Sequence, residues 1–323
     1  NHSATAKNCY LMFFSDECEN VLYSEYLLHN KDSMDVTCAT KLELSYQNLN
    51  SGNSYRLFYS EDCDSCQDVY FSKDCIGCSS CFGCFGLRNK KYHIFNEPYS
   101  KEEYGRKMKE LKFDTQEEIE TMREKVRAFW RTKPHKFMHA MFNMNVTGDY
   151  VYYSKNAKDM YMVGEGVENA RYCQIITMAS VKDAYDYSMW GNNAQQIYEG
   201  IMVGEGAYNI RFSAMVWPNV RDVEYSFSTF SSSNMLGCAN IRNKQYCILN
   251  KQYAKEDFEK LRTKIIEDMK KNPYKDKLGR EYPYGEFFPQ EFSLFGYNET
   301  HAGTYFPLDR EAAEGQGLAW YEP

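Results

Sequence analysis

A short alternation recurs along the chain: Asn or Asp, an apolar residue, any residue, an aromatic, then Ser or Cys. It stands at 20–24, 68–72, 169–173, 209–213 and 222–226. Residues two apart lie on one face of a strand, so Val21 with Tyr23, and Val223 with Tyr225, are expected to point together into a core. The leading Asn or Asp can bond the backbone just ahead of it and form the turn before the strand. No unit of this size can bury its own face, so units spaced by about 12–15 residues must stack on one another. The pattern predicts a mainly β fold, a β-solenoid or β-helix-like repeat.

Longer periodicities add helices and a duplication. Ser100-x-x-Glu103 and Thr115-x-x-Glu118 are capping boxes, in which side chains satisfy the orphan amides of a helix start. Tyr104, Met108 and Leu111 form one helical stripe; Ile119, Met122, Val126 and Phe129 form another; Phe258, Leu261, Ile265 and Met269 form a third. The block from Gly83-Cys84 through Arg88-Asn89-Lys90, Tyr92, Ile94 and Asn96 recurs, 154 residues on, from Gly237-Cys238 through Arg242-Asn243-Lys244, Tyr246, Ile248 and Asn250. The chain therefore reads as an internal duplication: a first solenoid half over 1–97, a helical segment over 98–134, a second half over 135–250, a helix over 251–271 and an extended tail over 272–323. Within the second half, Met162-Val-Gly-Glu-Gly166 recurs 40 residues later as Met202-Val-Gly-Glu-Gly206.

Composition shifts the expected core away from aliphatic residues. The chain carries 28 Tyr and 20 Phe, and its mean hydropathy is -0.67. Tyrosine needs a packed ring and a hydroxyl near water or a partner, which favours thin layers over a thick core. The net charge of -7, with 8 Lys and Arg against 13 Asp and Glu up to Glu97, argues against a broad phosphate-binding surface and so against a general nucleic-acid binder. No apolar run is long enough to span a membrane, and no charged-then-apolar leader opens the sequence, so a cytoplasmic protein with reduced thiols is expected.

Candidate chemistry is concentrated in the cysteines. Cys75, Cys78, Cys81 and Cys84 follow one another at x2 spacing, with Cys63-x2-Cys66 just before them. Thiolates at this density can hold zinc or an iron–sulfur cluster. The duplication supplies an internal control: at the same offset Cys75, Cys78 and Cys81 become Thr229, Ser232 and Met235, Cys63 and Cys66 become Trp217 and Val220, and only Cys84 persists, as Cys238. Cysteine as a small buried filler is the expectation, with no cofactor; zinc or iron–sulfur is the alternative. Arg88, Asn89 and Lys90, with Arg242, Asn243 and Lys244, are candidate ligand-binding corners that could clamp a carboxylate or phosphate, against a reading in which Asn turns the chain and the cations pair with nearby acids. Glu165 and Glu205 offer a carboxylate pair of the kind a carbohydrate-active β-helix protein uses. His135 and His139 have i, i+4 spacing without the Glu of a metalloprotease helix. No assembled catalytic set emerges, and a non-enzymatic chain is expected.

The Asn8-Cys9-Tyr10 unit, the 81–92 block, the 246–253 block and the tail around Gly285-Glu-Phe-Phe-Pro289 and 297–300 resemble a family of uncharacterised bacterial Cys/Tyr-rich repeat proteins across essentially the whole chain. Longer members carry Cys-x2-Cys zinc-ribbon segments outside this region. The family has no established activity, so the resemblance implies architecture only. A scaffold or interaction module is the expected function, its aromatic repeat surface meeting a protein partner or a second copy of itself. A metal-binding protein and a carbohydrate-active protein are the alternatives.

Overall fold

The computed structural model describes residues 3, 5–164, 166–178, 184–191 and 195–322. The chain is mainly β, with parallel sheets. It divides into two compact units, Asn1–His135 and Lys136–Pro323.

In the first unit, strands from Tyr10–Phe13 to Lys91–Ile94 pair in sequence order, all parallel. The register advances by twelve residues at every step: Tyr10 faces Leu22, Leu22 faces Met34, Met34 faces Tyr46 and Phe58 faces Tyr70. The buried residues do not alternate. They fall on every third position, as in Cys18, Val21, Ser24 and Leu27. The cause is a left-handed residue just before each of them: Glu17, Asn20, Tyr23 and Tyr26 have φ of 50°, 55°, 50° and 56°. Two extended residues followed by one left-handed residue repeat the chain direction every three positions, so the two-residue periodicity of a flat strand is lost.

The expected pairing of Val21 with Tyr23 is therefore overturned. Val21 is fully buried, while Tyr23 is 52% exposed. Val223 is likewise buried, whereas Tyr225, with φ of 49°, is the left-handed residue of its unit and only half-buried. The leading Asn20 is itself the left-handed residue, and its side chain bonds the same position in the neighbouring strands: Asn8 Nδ2 donates to Asn20 Oδ1 at 3.1 Å, and Asn20 Nδ2 to Asp32 Oδ1 at 2.6 Å.

Backbone hydrogen bonds show why the buried positions hold Ser, Asn and Cys so often. The residue after each buried one donates eleven residues ahead, as Glu19 N–H does to Asn30 O at 3.0 Å. The left-handed residue donates thirteen back, as Asn20 does to Lys7 O at 2.9 Å. The buried residue's own N–H lies outside both series, and a buried amide without an acceptor is costly. A side chain twelve residues earlier supplies the acceptor. Val36 N–H donates to Ser24 Oγ at 3.1 Å, Leu42 N–H to Asn30 Oδ1 at 2.6 Å and Cys84 N–H to Ser72 Oγ at 3.1 Å.

Each ladder ends in a hairpin clipped by the last Asn of the duplicated block. Asn96, at φ 67°, accepts from Phe85 N–H at 2.8 Å and donates to Phe85 O at 2.9 Å. Asn250 repeats this on Ala239 at 2.9 and 2.8 Å. Both expected capping boxes are present, at the starts of α1 (Lys101–Glu110) and α2 (Gln116–Arg131). These helices cover the outer face of the last strands, where Tyr104, Met122, Val126 and Trp130 pack with Phe71, Phe82, Phe85 and Ile94.

The second unit uses the same ladder with a less regular step. Tyr161 faces Gln174, Gln174 faces Ser188 and Ser188 faces Ile201, so the 40-residue repeat in the sequence is three ladder steps. α3 (Lys255–Lys271) packs Phe258, Leu261 and Ile265 against Tyr225, Leu236, Tyr246 and Ile248. The counterparts Tyr92–Tyr104 and Tyr246–Phe258 have ring centroids 5.8 and 5.7 Å apart. The tail is not uniformly extended. It contains an antiparallel pair, Tyr274–Lys275 with Glu281–Tyr282, and two short helices, His301–Tyr305 and Arg310–Gly315.

Candidate functional site

The six clustered cysteines occupy buried positions of the first ladder, with Val69 and Ser72 standing between Cys66 and Cys75. Cys75, Cys78, Cys81 and Cys84 fill one complete twelve-residue step, each at most 1% exposed. Cys63 and Cys66 stand twelve residues before Cys75 and Cys78, beside parallel bridges joining Glu61 to Lys73 and Asp64 to Ile76. Each thiol donates to a carbonyl two residues back: Cys63 to Glu61 O at 3.3 Å, Cys66 to Asp64 O at 3.3 Å and Cys81 to Ser79 O at 3.5 Å. The serines of the same ladder do the same, as Ser72 Oγ does to Tyr70 O at 2.9 Å.

The free thiols also act on one another's protonation. Hydrogen bonds to Cys66 and Cys75, together with full burial, hold the Cys63 thiol well above its ordinary range. Bonds to Cys78 and Cys84, and burial, do the same for Cys81. Cys78 is drawn the other way by the bonds it shares with Cys66, Cys75 and Cys81. Among the described residues no three His, Cys, Asp or Glu side chains are arranged to hold a metal ion. Burial that raises the thiol, as at Cys63 and Cys81, is the setting of an inert structural cysteine.

The corresponding step of the second ladder holds Thr229, Ser232, Met235 and Cys238, all buried. At the position before, the fixed sequence offset fails by one residue. Trp217 is only half-buried, and the buried neighbour is Val216, because four residues rather than three separate it from the buried Val220.

The Arg-Asn-Lys triplets lie one in each unit. Asn89 and Asn243 both have φ of 53°. Arg88 Nη2 donates to Asp74 Oδ1 at 2.9 Å, and Arg242 lies over the Phe230 ring at 5.1 Å. Lys90 is exposed, and the Lys244 N–H donates to Ser232 Oγ at 3.2 Å. Each triplet thus turns the chain and engages its own ladder. Glu165 lies outside the described residues, and Glu205 is itself a left-handed turn residue at φ 45°. His135 Nε2 lies 3.0 Å from Trp130 O, whereas His139 Nδ1 lies 3.1 Å from Asp149 Oδ1. α2 ends at Arg131, so no helix carries the two histidines.

Sequence reasoning did not find the most continuous surface feature of the first unit. Ladder register joins Tyr10, Leu22, Met34, Tyr46, Phe58, Tyr70, Phe82 and Ile94 into one outward file. Leu11, Tyr23, Tyr59, Phe71 and Phe95 belong to the left-handed file beside it. Rings stack along both files, with Phe58 on Tyr70 at 5.2 Å and Tyr59 on Phe71 at 4.5 Å. The other outward positions of this ladder are mostly polar, for example Glu19, Lys31 and Glu43 or Asp16, Thr40 and Asp64. A twelve-residue repeat map would have exposed the file directly.

In the second unit the equivalent surface carries a buried carboxylate. Glu224 is 5% exposed; it accepts from Arg262 Nε and Nη2 at 2.8 and 2.7 Å and from Tyr284 Oη at 2.7 Å. It pins α3 and the tail to the ladder.

No family model and no curated protein matches the chain. Among solved structures, the UDP-N-acetylglucosamine acyltransferase from Campylobacter jejuni is similar to it at 9% identity over 84% of this chain and 83% of that chain, with a TM-score of 0.11. A likeness at that level carries no argument about fold or function. No helix among the described residues is long and apolar enough to cross a membrane.

Proposed function

We propose that each unit is a β-solenoid, with four three-residue sides to a twelve-residue turn in the first unit and a less regular turn in the second, and that the protein is a non-enzymatic scaffold that meets a protein partner through the aromatic side of the first unit that runs its whole length. The observation that carries this reading is the unbroken apolar outward file from Tyr10 to Ile94, on a ladder whose other sides are mostly polar and carry only a short stack of Phe14 on Tyr26. Turns this small favour compact side chains inside, which accounts for the frequency of Cys, Ser, Val and Ala at the buried positions beside Leu, Ile and Met. Large apolar residues directed outward are costly unless something covers them, and contiguous exposed patches mark interaction sites. Membership of the Cys/Tyr-rich repeat family and a cytoplasmic location belong to the same proposal.

The test is capture of partners by the full chain and by a Tyr10→Ser/Tyr23→Ser/Met34→Ser variant. The variant should keep its far-ultraviolet spectrum and lose the partners that the parent retains. An unchanged set of partners would contradict the reading.

A further inference from the structure

We infer that the first four turns of the aromatic file receive an amphipathic helix from a partner protein, one with an aliphatic stripe and basic edges. This rests on the interaction reading above and specifies its partner.

The file is covered unevenly. Its later part lies under α1 and α2, with Val126 and Trp130 fully or nearly buried against Phe71 and Phe82. α2 reaches up the ladder as far as Tyr59, where Arg123 lies over the ring at 5.2 Å, and Gln47, which accepts from Arg123 Nη2. Beyond that the same surface continues without a helix. Tyr10, Leu11 and Tyr23 are 58, 47 and 52% exposed. A groove of about 440 Å³ runs beside Leu22, Met34, Tyr46 and Phe58.

Two observations choose a helix as the occupant. Both units cover the later part of this file with amphipathic helices: α1 and α2 in the first, α3 in the second. The open stretch is a continuation of the surface that α2 already packs on, with Leu11, Leu22 and Met34 among the rings of Tyr10, Tyr23 and Tyr46. Its length also fits. Strands carrying Tyr10, Leu22, Met34 and Tyr46, at about 4.8 Å spacing, span about 14 Å, which a helix of about ten residues covers. A helix that short is marginal alone in water and would fold on the surface.

Charge sets the edges of that helix. Beside the open stretch, Asp32 lines the groove and Asp35 stands in the left-handed file between Tyr23 and Gln47, with Arg56 at the groove's far end. Basic residues flanking the apolar stripe would meet this field, as Arg123 does at Tyr59.

The probe is a synthetic peptide with the sequence of residues 115–132, titrated into the full chain, followed by anisotropy and by gain of helical circular dichroism. A more basic version carrying Glu117→Lys and Glu124→Lys should bind more tightly, with the difference lost at high salt. Binding to the Leu22→Glu/Met34→Glu chain should be at least tenfold weaker, with that chain's own spectrum unchanged. No binding, or binding that ignores Leu22→Glu/Met34→Glu, overturns the inference. Sedimentation of both chains without peptide separates the two claims. Self-association lost in Leu22→Glu/Met34→Glu, with no peptide bound, makes a second copy the occupant and keeps the interaction reading. No peptide binding together with no self-association in either chain counts against both.

Discussion

Arg262 holds both carboxylate oxygens of Glu224, through Nε at 2.8 Å and Nη2 at 2.7 Å, at the position that Tyr70 occupies in the first unit. The duplication has thus exchanged a ring under one helix for an ion pair under another. Glu224 also meets Arg211 at 3.4 Å and the Tyr284 hydroxyl, so its charge is well compensated despite burial.

Removing one partner of a buried pair strands the other charge, which costs more than the pair itself contributes. Arg262→Ala should destabilise the second unit by about 2–3 kcal/mol, allowing for the remaining bonds to Arg211 and Tyr284. The double variant Arg262→Met/Glu224→Met should recover more than half of that. Urea denaturation of the three chains checks both values.

Ser72 performs two tasks: it donates to Tyr70 O and accepts from the N–H of Cys84. Ser72→Ala leaves that buried amide without an acceptor and should cost about 1–3 kcal/mol. Ser72→Cys, which places at this position the group already used at Cys63 and Cys66, should cost less than half as much. Denaturation midpoints with equal slopes would check the ordering.

Much of the architecture was legible from residues, but its period was misread. The mainly β fold, both capping boxes and the helical stripes follow from patterns visible at 20–24, 100–103 and 115–118. The two-residue alternation was the wrong template, because a left-handed residue in every third place is a long-range consequence of stacking that no local propensity announces. The true period stood in plain view in Cys63-x2-Cys66 and Cys75-x2-Cys78-x2-Cys81-x2-Cys84, and in Ser15, Ser24, Ser33, Ser45, Ser51 and Ser54. Spacing that resembles a metal motif is here the repeat of the fold itself. The aromatic file escaped notice because its members are twelve residues apart, beyond any local window.

Strain at the left-handed positions is testable where the side chain is exposed. Lys41 has φ of 55° and stands between His29 and Asn53 along its file. L-residues other than Asn, Asp and Gly pay about 1 kcal/mol there. Lys41→Asn should stabilise by about 0.5–1 kcal/mol, and the β-branched Lys41→Val should destabilise by about 1–2 kcal/mol. Thermal melts of the two variants should move in opposite directions.

Glu199 provides a pH-dependent case. One of its carboxylate oxygens is buried without a hydrogen-bond partner, and burial, then the charges of Glu286 and Asp186, raise its pKa above the ordinary 4.5. The folded protein therefore holds this proton more tightly than the unfolded chain. The ionised side chain costs stability at neutral pH, and the cost fades as pH falls through the raised value toward 4.5. Glu199→Gln should raise the melting temperature at pH 7 by a few degrees, with little difference from the parent below the ordinary carboxylate value.

In the proposed function the buried thiols only fill the ladder and the outward rings meet a partner. The most direct test of that function is the triple variant Cys75→Thr/Cys78→Ser/Cys81→Met, which gives the first unit the residues of the second, studied by elemental analysis and partner capture side by side. The predicted result is a folded protein, with neither parent nor variant holding stoichiometric zinc or iron, and with the captured partners unchanged. Stoichiometric metal in the parent, lost from the variant together with its partners, would contradict it.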